Sequence, residues 1–259
     1  MQTKTIGFLG GGRITHIFLK ALGDSTLPQN RVTVSDNQPD TLAKLKGVFP
    51  DITATADNHQ PATKDIVFVA LHPPAIKSVL PEIKGSIQPQ SIVISLAPVL
   101  TLLKLGELLG GFQRIVRLIP NAPSIVHAGY NPVSFSPAIS SEERAEIESI
   151  IDPLGQHPVV AEETLEAYAI IAAMGPTYFW FQWQTLRQLA TTFGLEPSDA
   201  DATLANMLQG SIKTLFYSGL DYEAVCDLIP VKPLADQEAQ IREAFEGNLS
   251  KLYKKLKGV

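Results

Sequence analysis

The chain has 259 residues and a formal net charge of −5, and 45% of its residues are hydrophobic. This length suffices for one large domain or two modest ones, each with its own core. The acidic balance argues against nucleic acid as a partner, and the single cysteine, Cys226, excludes an intrachain disulfide. The first residues run directly into a predicted strand, so we expect no signal peptide and a cytoplasmic location.

A short apolar strand followed by three glycines opens the chain. Residues 5–9 predict the strand, and the spacing of apolar residues from Arg13 predicts a helix. Glycine lets a phosphate approach the backbone, while a helix N-terminus offers free N–H groups. The segment follows the dinucleotide fingerprint G-x-G-x-x-G/A, although Thr15 is large for the last position. We therefore predict a pyrophosphate site formed by Gly10, Gly11, Gly12, Arg13 and Ile14.

A carboxylate follows the second predicted strand. Residues 31–35 form a β-branched run, and Asp36 comes directly after it. An acid at this position can accept hydrogen bonds from the adenosine ribose 2′-hydroxyl and would repel a 2′-phosphate. The pattern favours NAD(H) over NADP(H), although Arg13 or Lys44 could reach a phosphate. The alternative for Asp36 is an Asx turn that closes the strand.

The rest of the first half alternates strands with helices. Further strands are predicted at 52–55, 65–71, 91–96, 114–119 and 131–135, and helices at 39–48, 74–80, 100–109 and 142–151. Near-continuous apolar runs are typical of strands covered on both faces. This alternation predicts a doubly wound parallel sheet of the Rossmann type over residues 1–158, with ligands at the carboxyl ends of its strands.

The second half, residues 159–259, is predicted to be all-α. Helical periods occupy 162–173, 177–193, 198–217, 222–228 and 236–256, and Ser198 and Asp199 are candidate N-caps of the third. The apolar run 167–183 is interrupted by glycine and proline and continues into a polar helix. We expect it to be buried within protein, including between subunits, and not to span a membrane.

Several segments, in the same order, resemble the pyrroline-5-carboxylate reductase family. Residues 117–123 read Arg-Leu-Ile-Pro-Asn-Ala-Pro, similar to that family's Arg-Val-Met-Pro-Asn-Thr-Pro at the nicotinamide end of its cofactor cleft. Residues 7–12 resemble its opening Gly-Phe-Ile-Gly-x-Gly, and 69–73 its Ala-Val-Lys-Pro turn, with His72 in place of lysine. Residues 94–98 resemble its Ser-Ile-Ala-Gly turn, and 175–178 its Gly-Pro-Ala-Tyr. The resemblance covers most of the chain.

The resemblance implies an NAD(P)H-dependent oxidoreductase that reduces the C=N bond of a cyclic imine to give L-proline. It also implies a homodimer or larger homo-oligomer held together by the C-terminal helices. The cofactor residues it adds to the glycine turn and Asp36 are Asn58, Ala70, Leu71, His72, Pro73 and Asn121. Asn58 as a loop cap, His72 as a helix cap and Asn121 as a turn former are the alternatives.

The helical half departs from the family pattern. Residues 172–174 are Ala-Ala-Met where the family has Ser-Gly-Ser, and Gln184 replaces a glutamate. Residues 232–237 read Lys-Pro-Leu-Ala-Asp-Gln where the family has the Ser-Pro-Gly-Gly-Thr-Thr loop that holds the substrate carboxylate. Glycines and threonines can wrap an anion with N–H and O–H donors, which leucine, alanine and aspartate do not replace.

Three hypotheses follow for the function. Either pyrroline-5-carboxylate is the substrate and Lys232 binds its carboxylate, or another imine or carbonyl compound is reduced with Lys232 or His72 as proton donor. The third possibility is a dinucleotide-binding regulatory protein without turnover. Lys232 as an ordinary exposed lysine remains open. His16, His127 and His157 have no metal-ligand spacing with one another or with Cys226, so no metal site is expected.

Overall fold

The computed structural model describes residues 4–26 and 28–258. These residues form two compact units. One runs up to Met174 and resumes from Tyr253, and the other is Gly175–Leu252. The first unit thus contains residues 159–174, which the sequence analysis assigned to the helical part. As a division of function, the boundary after residue 158 stays a prediction.

The first unit is built on a mostly parallel sheet, which confirms the predicted fold class. Its strands, in chain order, are β1 (Ile6–Leu9), β2 (Val32–Ser35), β3 (Thr53–Thr55), β4 (Ile66–Val69), β5 (Ile92–Ser95), β6 (Ile115–Leu118), β7 (Gly129–Tyr130), β8 (Val133–Phe135) and β9 (Gly155–Gln156). The seven-stranded sheet has the order β3-β2-β1-β4-β5-β6-β8, and β7 pairs with β9 separately. All its pairs are parallel except the one between β6 and β8. The order reverses between β1 and β4, where doubly wound sheets bind ligands.

Helices connect the strands of this unit. They are α1 (Arg13–Thr26, interrupted at Gly23), α2 (Pro39–Val48), α3 (His59–Ala62), α4 (Pro73–Ile83), α5 (Leu102–Leu108), α6 (Ser141–Ile151) and α7 (Leu165–Tyr168). The predicted single helix over 162–173 is instead a 3-10 turn at Glu162–Thr164, then α7, then a π-helical segment at Ala169–Ala173. Such irregular helical pieces are found frequently at functional sites.

Alternating residues of each strand pack on opposite faces of the sheet. Phe8 and Phe68 belong to one apolar cluster and stack at 4.8 Å between ring centroids. Leu9 and Val69, the next residues along, belong to a second cluster on the other face, together with Ile76 of α4. Because both faces of the sheet are covered by apolar clusters, its strands are apolar almost throughout.

The second unit is helical. Its helices are α8 (Pro176–Thr192), α9 (Pro197–Tyr217), α10 (Tyr222–Asp227) and α11 (Ala235–Lys257), whose last turns belong to the first unit. The N-cap of α9 is Glu196, so the capping roles predicted for Ser198 and Asp199 are wrong. Pro197 fits the first helical position, where its fixed φ suits a helix and its missing N–H is not needed. The helix therefore begins before both predicted caps.

Large apolar side chains lie open on the second unit. Ala200 alone is buried within the described helices α8, α9, α10 and α11. Phe181, Phe193 and Phe216 are 65%, 78% and 69% exposed. Over the described residues, none of the helices has the length and apolar character needed to cross a bilayer. These side chains thus form an apolar surface that one copy of the chain leaves uncovered.

Candidate cofactor site

The glycine turn after β1 depends on glycine at its first position. Gly10 has φ +100°, and a Cβ there would lie 2.6 Å from the carbonyl oxygen of Ala70. Its N–H donates to the Ser35 carbonyl oxygen at 2.8 Å. Both the backbone conformation and the close approach of the β4 end therefore exclude a side chain at Gly10.

At Gly12 the missing side chain leaves open space. A Cβ at this residue would meet no protein atom within 4 Å, and the residue is exposed at the start of α1. The space above Gly12 is therefore open to a ligand, next to the N–H groups that begin α1. Arg13 is exposed and Ile14 half-buried beside it. This open space at a helix N-terminus fits a pyrophosphate.

Thr15 stabilises the turn. Its side chain is fully buried, and its hydroxyl donates to the Gly10 carbonyl oxygen at 2.6 Å. The fingerprint favours a small residue here because the helix packs closely on the strand. In this chain a hydrogen bond to the turn accompanies the larger side chain, so Thr15 is compatible with the fingerprint.

Asp36 lies at the carboxyl end of β2, beside the glycine turn. One carboxylate oxygen accepts the Gly11 N–H at 2.8 Å, and the other accepts the Gln38 N–H at 2.9 Å. The contact with Gln38 is the Asx turn that the sequence analysis gave as the alternative role of Asp36, and it is present together with the contact to Gly11. The side chain remains half-buried at the end of β2.

Asn58 is brought to the same end of the sheet. Its side-chain oxygen accepts a hydrogen bond from the Ser35 hydroxyl at 2.7 Å. It occupies the N-cap position of α3 but makes no side-chain capping bond. The structure therefore gives Asn58 a contact with the end of β2, and its contact with adenosine stays a prediction.

The predicted residues of the next turn follow β4. The Ala70 N–H donates to the Leu9 carbonyl oxygen at 2.8 Å, which holds the two strand ends side by side. Leu71 and Pro73 are half-buried, and His72 is exposed. His72 is the N-cap of α4, but through its backbone carbonyl and without a side-chain capping bond. Its imidazole is thus left at the carboxyl edge of the sheet.

Asn121, which follows β6, is buried in a polar network. Its side-chain oxygen accepts the Tyr130 N–H at 3.2 Å, and its amide nitrogen donates to the Ala172 carbonyl oxygen at 3.3 Å. The Ser124 hydroxyl bonds both Asn121 and Asn131. Asn121 therefore anchors the π-helical segment to the end of β6, and its predicted contact with nicotinamide stays a prediction.

A buried charge cluster lies close by, and the sequence analysis missed it. The Arg117 side chain on β6 is 1% exposed and donates to Glu162 at 3.0 Å and to Glu166 at 2.7 Å. Burial by itself would raise the pKa of Glu166, but the bond to Arg117 and its positive charge outweigh burial and lower that pKa below its usual value. The available signal was an arginine within the apolar run of β6, because a buried charge requires a partner.

The loop after β5 is attached to this cluster. The Val99 N–H donates to Glu166 at 3.3 Å, and the Leu102 N–H donates to Glu162 at 2.5 Å. Val99 has φ +84° and is 40% exposed. A β-branched residue in this region is a genuine outlier that costs about 1–3 kcal/mol and is found preferentially at functional sites.

Lys232 lies in the second unit, in the segment between α10 and α11, and is exposed. It lines a surface hollow of about 630 Å³. The other residues that line this hollow are Pro233, Leu234, Ala235, Glu238, Ile241, Arg242, Phe245 and Glu246. Arg242 is engaged with Glu238 and with the Tyr222 hydroxyl. Two cations, Lys232 and Arg242, and two carboxylates, Glu238 and Glu246, thus line this hollow.

The residues at the carboxyl edge of the first unit fit a dinucleotide. They offer an open space at a helix N-terminus, a carboxylate at the end of β2, and further strand ends across the reversal point of the sheet. Among the residues that the structure describes, no three histidine, cysteine, aspartate or glutamate side chains are grouped as metal ligands. The expectation of no metal site stays a prediction.

Comparison with known proteins supports a nicotinamide dinucleotide as the cofactor. Residues 5–98 match the family described as NADP oxidoreductase, coenzyme F420-dependent. The pyrroline-5-carboxylate reductase of Escherichia coli (strain K12) is 28% identical over 228 residues, which cover 87% of this chain and 84% of that one.

Solved structures add the fold. A pyrroline-5-carboxylate reductase from Coxiella burnetii aligns over 99% of this chain and 96% of its own, with a TM-score of 0.69 and 27% identity. The pyrroline carboxylate reductase of Plasmodium falciparum, solved with NADP bound, aligns over 100% of this chain and 98% of its own, with a TM-score of 0.81 and 19% identity.

Fold and site together define an oxidoreductase that uses a nicotinamide dinucleotide, with a doubly wound sheet followed by helices. Within this class, the chain is similar over most of its length to pyrroline-5-carboxylate reductases.

Proposed function

We propose that this protein is an NAD(P)H-dependent reductase of a small cyclic imine, with pyrroline-5-carboxylate as substrate and L-proline as product. The observation that carries the proposal is the intact glycine turn with Asp36 in a chain that is 28% identical to the Escherichia coli reductase over 87% of its length. A cytoplasmic location is part of the proposal and is supported by the chain's single cysteine.

The bound nicotinamide supplies the hydride, and this chain's residues bind and orient. Gly12 and the N-terminus of α1 receive the pyrophosphate, and Asp36 accepts hydrogen bonds from the adenosine ribose. A protonated C=N bond is already electrophilic, so the protein chiefly has to hold the imine at the correct distance and angle. The proposal therefore requires a binding group for the imine carboxylate more than it requires a strong acid.

Lys232 is our candidate for that binding group. It lines the hollow in the second unit, and Leu234, Ala235 and Asp236 follow it where the family has glycines and threonines. A lysine ammonium binds a carboxylate as a point charge without the hydrogen-bonding loop. Lys232 would therefore supply the attraction that the altered loop no longer provides.

The same altered loop supports a second candidate function. A substrate without the carboxylate, or a carbonyl compound in place of the imine, would not require the family's loop. Reduction of a ketone needs a proton donor, and Lys232 or His72 is the candidate for that role. A dinucleotide-binding protein without turnover is the remaining alternative.

We propose that NADH is preferred over NADPH. The Asp36 carboxylate would face a 2′-phosphate, and Asn37 and Gln38, which follow it, carry no positive charge. Arg13 is exposed at the start of α1 and Lys44 on α2. These two cations are the groups through which NADPH could still bind.

We also propose that two copies of the chain associate through the second unit. Its helices bury almost nothing among themselves, while Phe181, Phe193 and Phe216 remain more than 60% exposed. An apolar surface of this extent on a small helical unit is normally covered by a partner chain. A second copy would provide the core that one copy lacks.

The deciding experiment is oxidation of NADH and of NADPH by the purified protein with pyrroline-5-carboxylate, followed by nicotinamide absorbance. Turnover in this assay, together with rescue of a proline auxotroph by the expressed protein, supports the proposed substrate. Tight NADH binding without turnover would point to another imine or carbonyl substrate, tested next with a panel of cyclic imines and ketones. Binding with no turnover on any of them would favour the regulatory protein.

A further inference from the structure

We propose that Glu166 is a positioning residue that holds the loop after β5 in the conformation needed at the nicotinamide end of the site. The inference rests on the proposed function, since it assumes a nicotinamide dinucleotide at the carboxyl edge of the sheet. Glu166 acts through the backbone of Val99 and does not itself touch the reacting groups.

The loop conformation is one that valine does not adopt readily. Val99 has φ +84°, where its branched side chain crowds the backbone. Two carboxylates hold the loop, since Glu166 accepts the Val99 N–H and Glu162 accepts the Leu102 N–H. Without these acceptors, we expect Val99 to return to negative φ and to change the course of the loop.

The carboxylates are themselves fixed by Arg117. Its guanidinium donates to Glu162 and to Glu166 from a side chain that is 1% exposed, and Glu166 is 5% exposed. Lys257, near the end of α11, lies 3.6 Å from the second oxygen of Glu166 and donates to the Glu163 carbonyl oxygen. Two cations and two carboxylates thus form a rigid cluster under the loop.

The position of the loop gives the cluster a role in binding. β5 lies between β4 and β6, and Val99 comes four residues after Ser95, the last residue of β5. The neighbouring strand ends carry the Ala70–Pro73 turn and Asn121. The glycine turn and Asp36, which would hold the pyrophosphate and adenosine, lie on the other side of the reversal point. Val99 therefore belongs to the half of the edge that would receive nicotinamide.

The test compares NADH with ADP-ribose, which has the same adenosine half but no nicotinamide. Dissociation constants are measured by fluorescence titration and by competition for the variants Glu166→Met, Glu166→Gln, Val99→Gly and the double variant Glu166→Met/Val99→Gly. Methionine removes the acceptor at similar size, while glutamine keeps one oxygen for Arg117 and Val99. Glu163→Met, at the exposed neighbouring glutamate, is the matched control.

We expect Glu166→Met to weaken the affinity for NADH about tenfold and the affinity for ADP-ribose less than twofold. The strained loop then relaxes at the nicotinamide half of the site only. Glu163→Met should stay within about twofold of the wild type, while Glu166→Gln and Val99→Gly should each lose less NADH affinity than Glu166→Met, since the first keeps an acceptor oxygen and the second removes the strain at residue 99. The double variant should regain most of the NADH affinity, because glycine adopts φ +84° without strain. A merely structural role would not be rescued in this way.

Equal weakening of both ligands by Glu166→Met, or no rescue by Val99→Gly, would overturn the positioning role. If Glu166→Met does not fold, Glu166→Asp takes its place, since it keeps a charge beside Arg117 on a shorter stem. A wild type that binds NADH but reduces no imine would overturn the proposed substrate, and the affinities would still decide the role of Glu166. A wild type that binds neither ligand would overturn both proposals.

Discussion

The two units of this protein differ in how much of their apolar surface is buried within one chain. The first places its apolar strands between two layers of helices, so residues such as Phe8 and Val69 are fully buried within one chain. The second also carries large apolar side chains, but Phe193 and Tyr217 remain 78% and 80% exposed. A domain that has its own core can fold alone, whereas one that exposes its core requires a partner.

The same contrast holds for the motifs. The first unit contains the glycine turn and Asp36, which are joined by the hydrogen bond from the Gly11 N–H to the Asp36 carboxylate, and it contains the Pro-Asn turn at Asn121, whose N–H donates to the Asn131 side-chain oxygen. In the second unit, residues 232–237 differ from the carboxylate-binding loop that the resemblance to pyrroline-5-carboxylate reductases predicts there. Under the proposed function, cofactor recognition and substrate recognition have diverged to different extents in one chain. Five predictions test this difference.

Gly12→Val should have the largest effect on binding. Its side chain would enter the open space above the α1 N-terminus, where no protein atom lies within 4 Å. We expect NADH affinity to fall by about a thousandfold or more while thermal stability stays near that of the wild type. Calorimetric titration measures the first and circular dichroism the second. Gly85→Val is the control, because its Cβ also meets open space, in a turn outside the site. Undiminished binding by a folded Gly12→Val protein would mean that the cleft is placed wrongly.

Phe216→Glu should break the association of the second unit. A charge on a residue that is 69% exposed in one copy would be buried in the proposed dimer, which is strongly unfavourable without a partner charge. We expect sedimentation equilibrium to give the mass of one chain in place of two. Leu103→Glu is the control, because Leu103 is also apolar and exposed (74%) but lies in the first unit. This variant should leave the mass of the associated protein unchanged. An unchanged mass for Phe216→Glu would argue against this face as the interface.

Glu166→Met should destabilise the first unit in a pH-dependent manner. Arg117 holds the pKa of Glu166 below the usual 4.5 against the effect of burial. A lowered folded-state pKa contributes stability that is fully present above the unfolded value and is lost as the pH falls through the folded value. We expect a loss of about 3 kcal/mol at neutral pH. Urea unfolding should show this difference shrinking as the pH falls below about 4.5. A pH-independent difference would assign the loss to packing alone.

Lys232→Ala should affect substrate binding more than turnover. If Lys232 binds the imine carboxylate, KM for pyrroline-5-carboxylate should rise about tenfold with little change in kcat, since a uniform binding interaction is lost. NADH affinity should not change. Lys251→Ala, on an exposed lysine of α11, is a matched control. An unaltered kcat/KM would leave Lys232 as an ordinary surface lysine.

Asp36→Asn should have the smallest effect, on the choice of cofactor. Asparagine keeps an acceptor for the Gly11 N–H but removes the charge opposite a 2′-phosphate. We expect the ratio of NADPH to NADH affinity to rise about tenfold. The ratio is obtained from parallel titrations with the two reduced cofactors. An unchanged ratio would remove Asp36 from the ribose site.

The sequence by itself determined the architecture of the first unit and placed the glycine turn and Asp36 at the carboxyl edge of its sheet. Apolar runs and glycine placement depend on local chain geometry, so β1, the turn at Gly10 and the carboxylate Asp36 were identifiable from spacing alone. Helix ends were less certain, as the wrong caps at Ser198 and Asp199 show. A proline one residue earlier decided that boundary.

Only the tertiary structure revealed the cluster of Arg117, Glu162 and Glu166 and the strained loop that it holds. The arginine is 45 and 49 residues from its two partners, so no local pattern connects them. Likewise, Val99 has no sequence signal for φ +84°, because its conformation is imposed by contacts with distant side chains. Local geometry is encoded in short patterns, whereas charge pairing and strain depend on which distant segments the fold brings together.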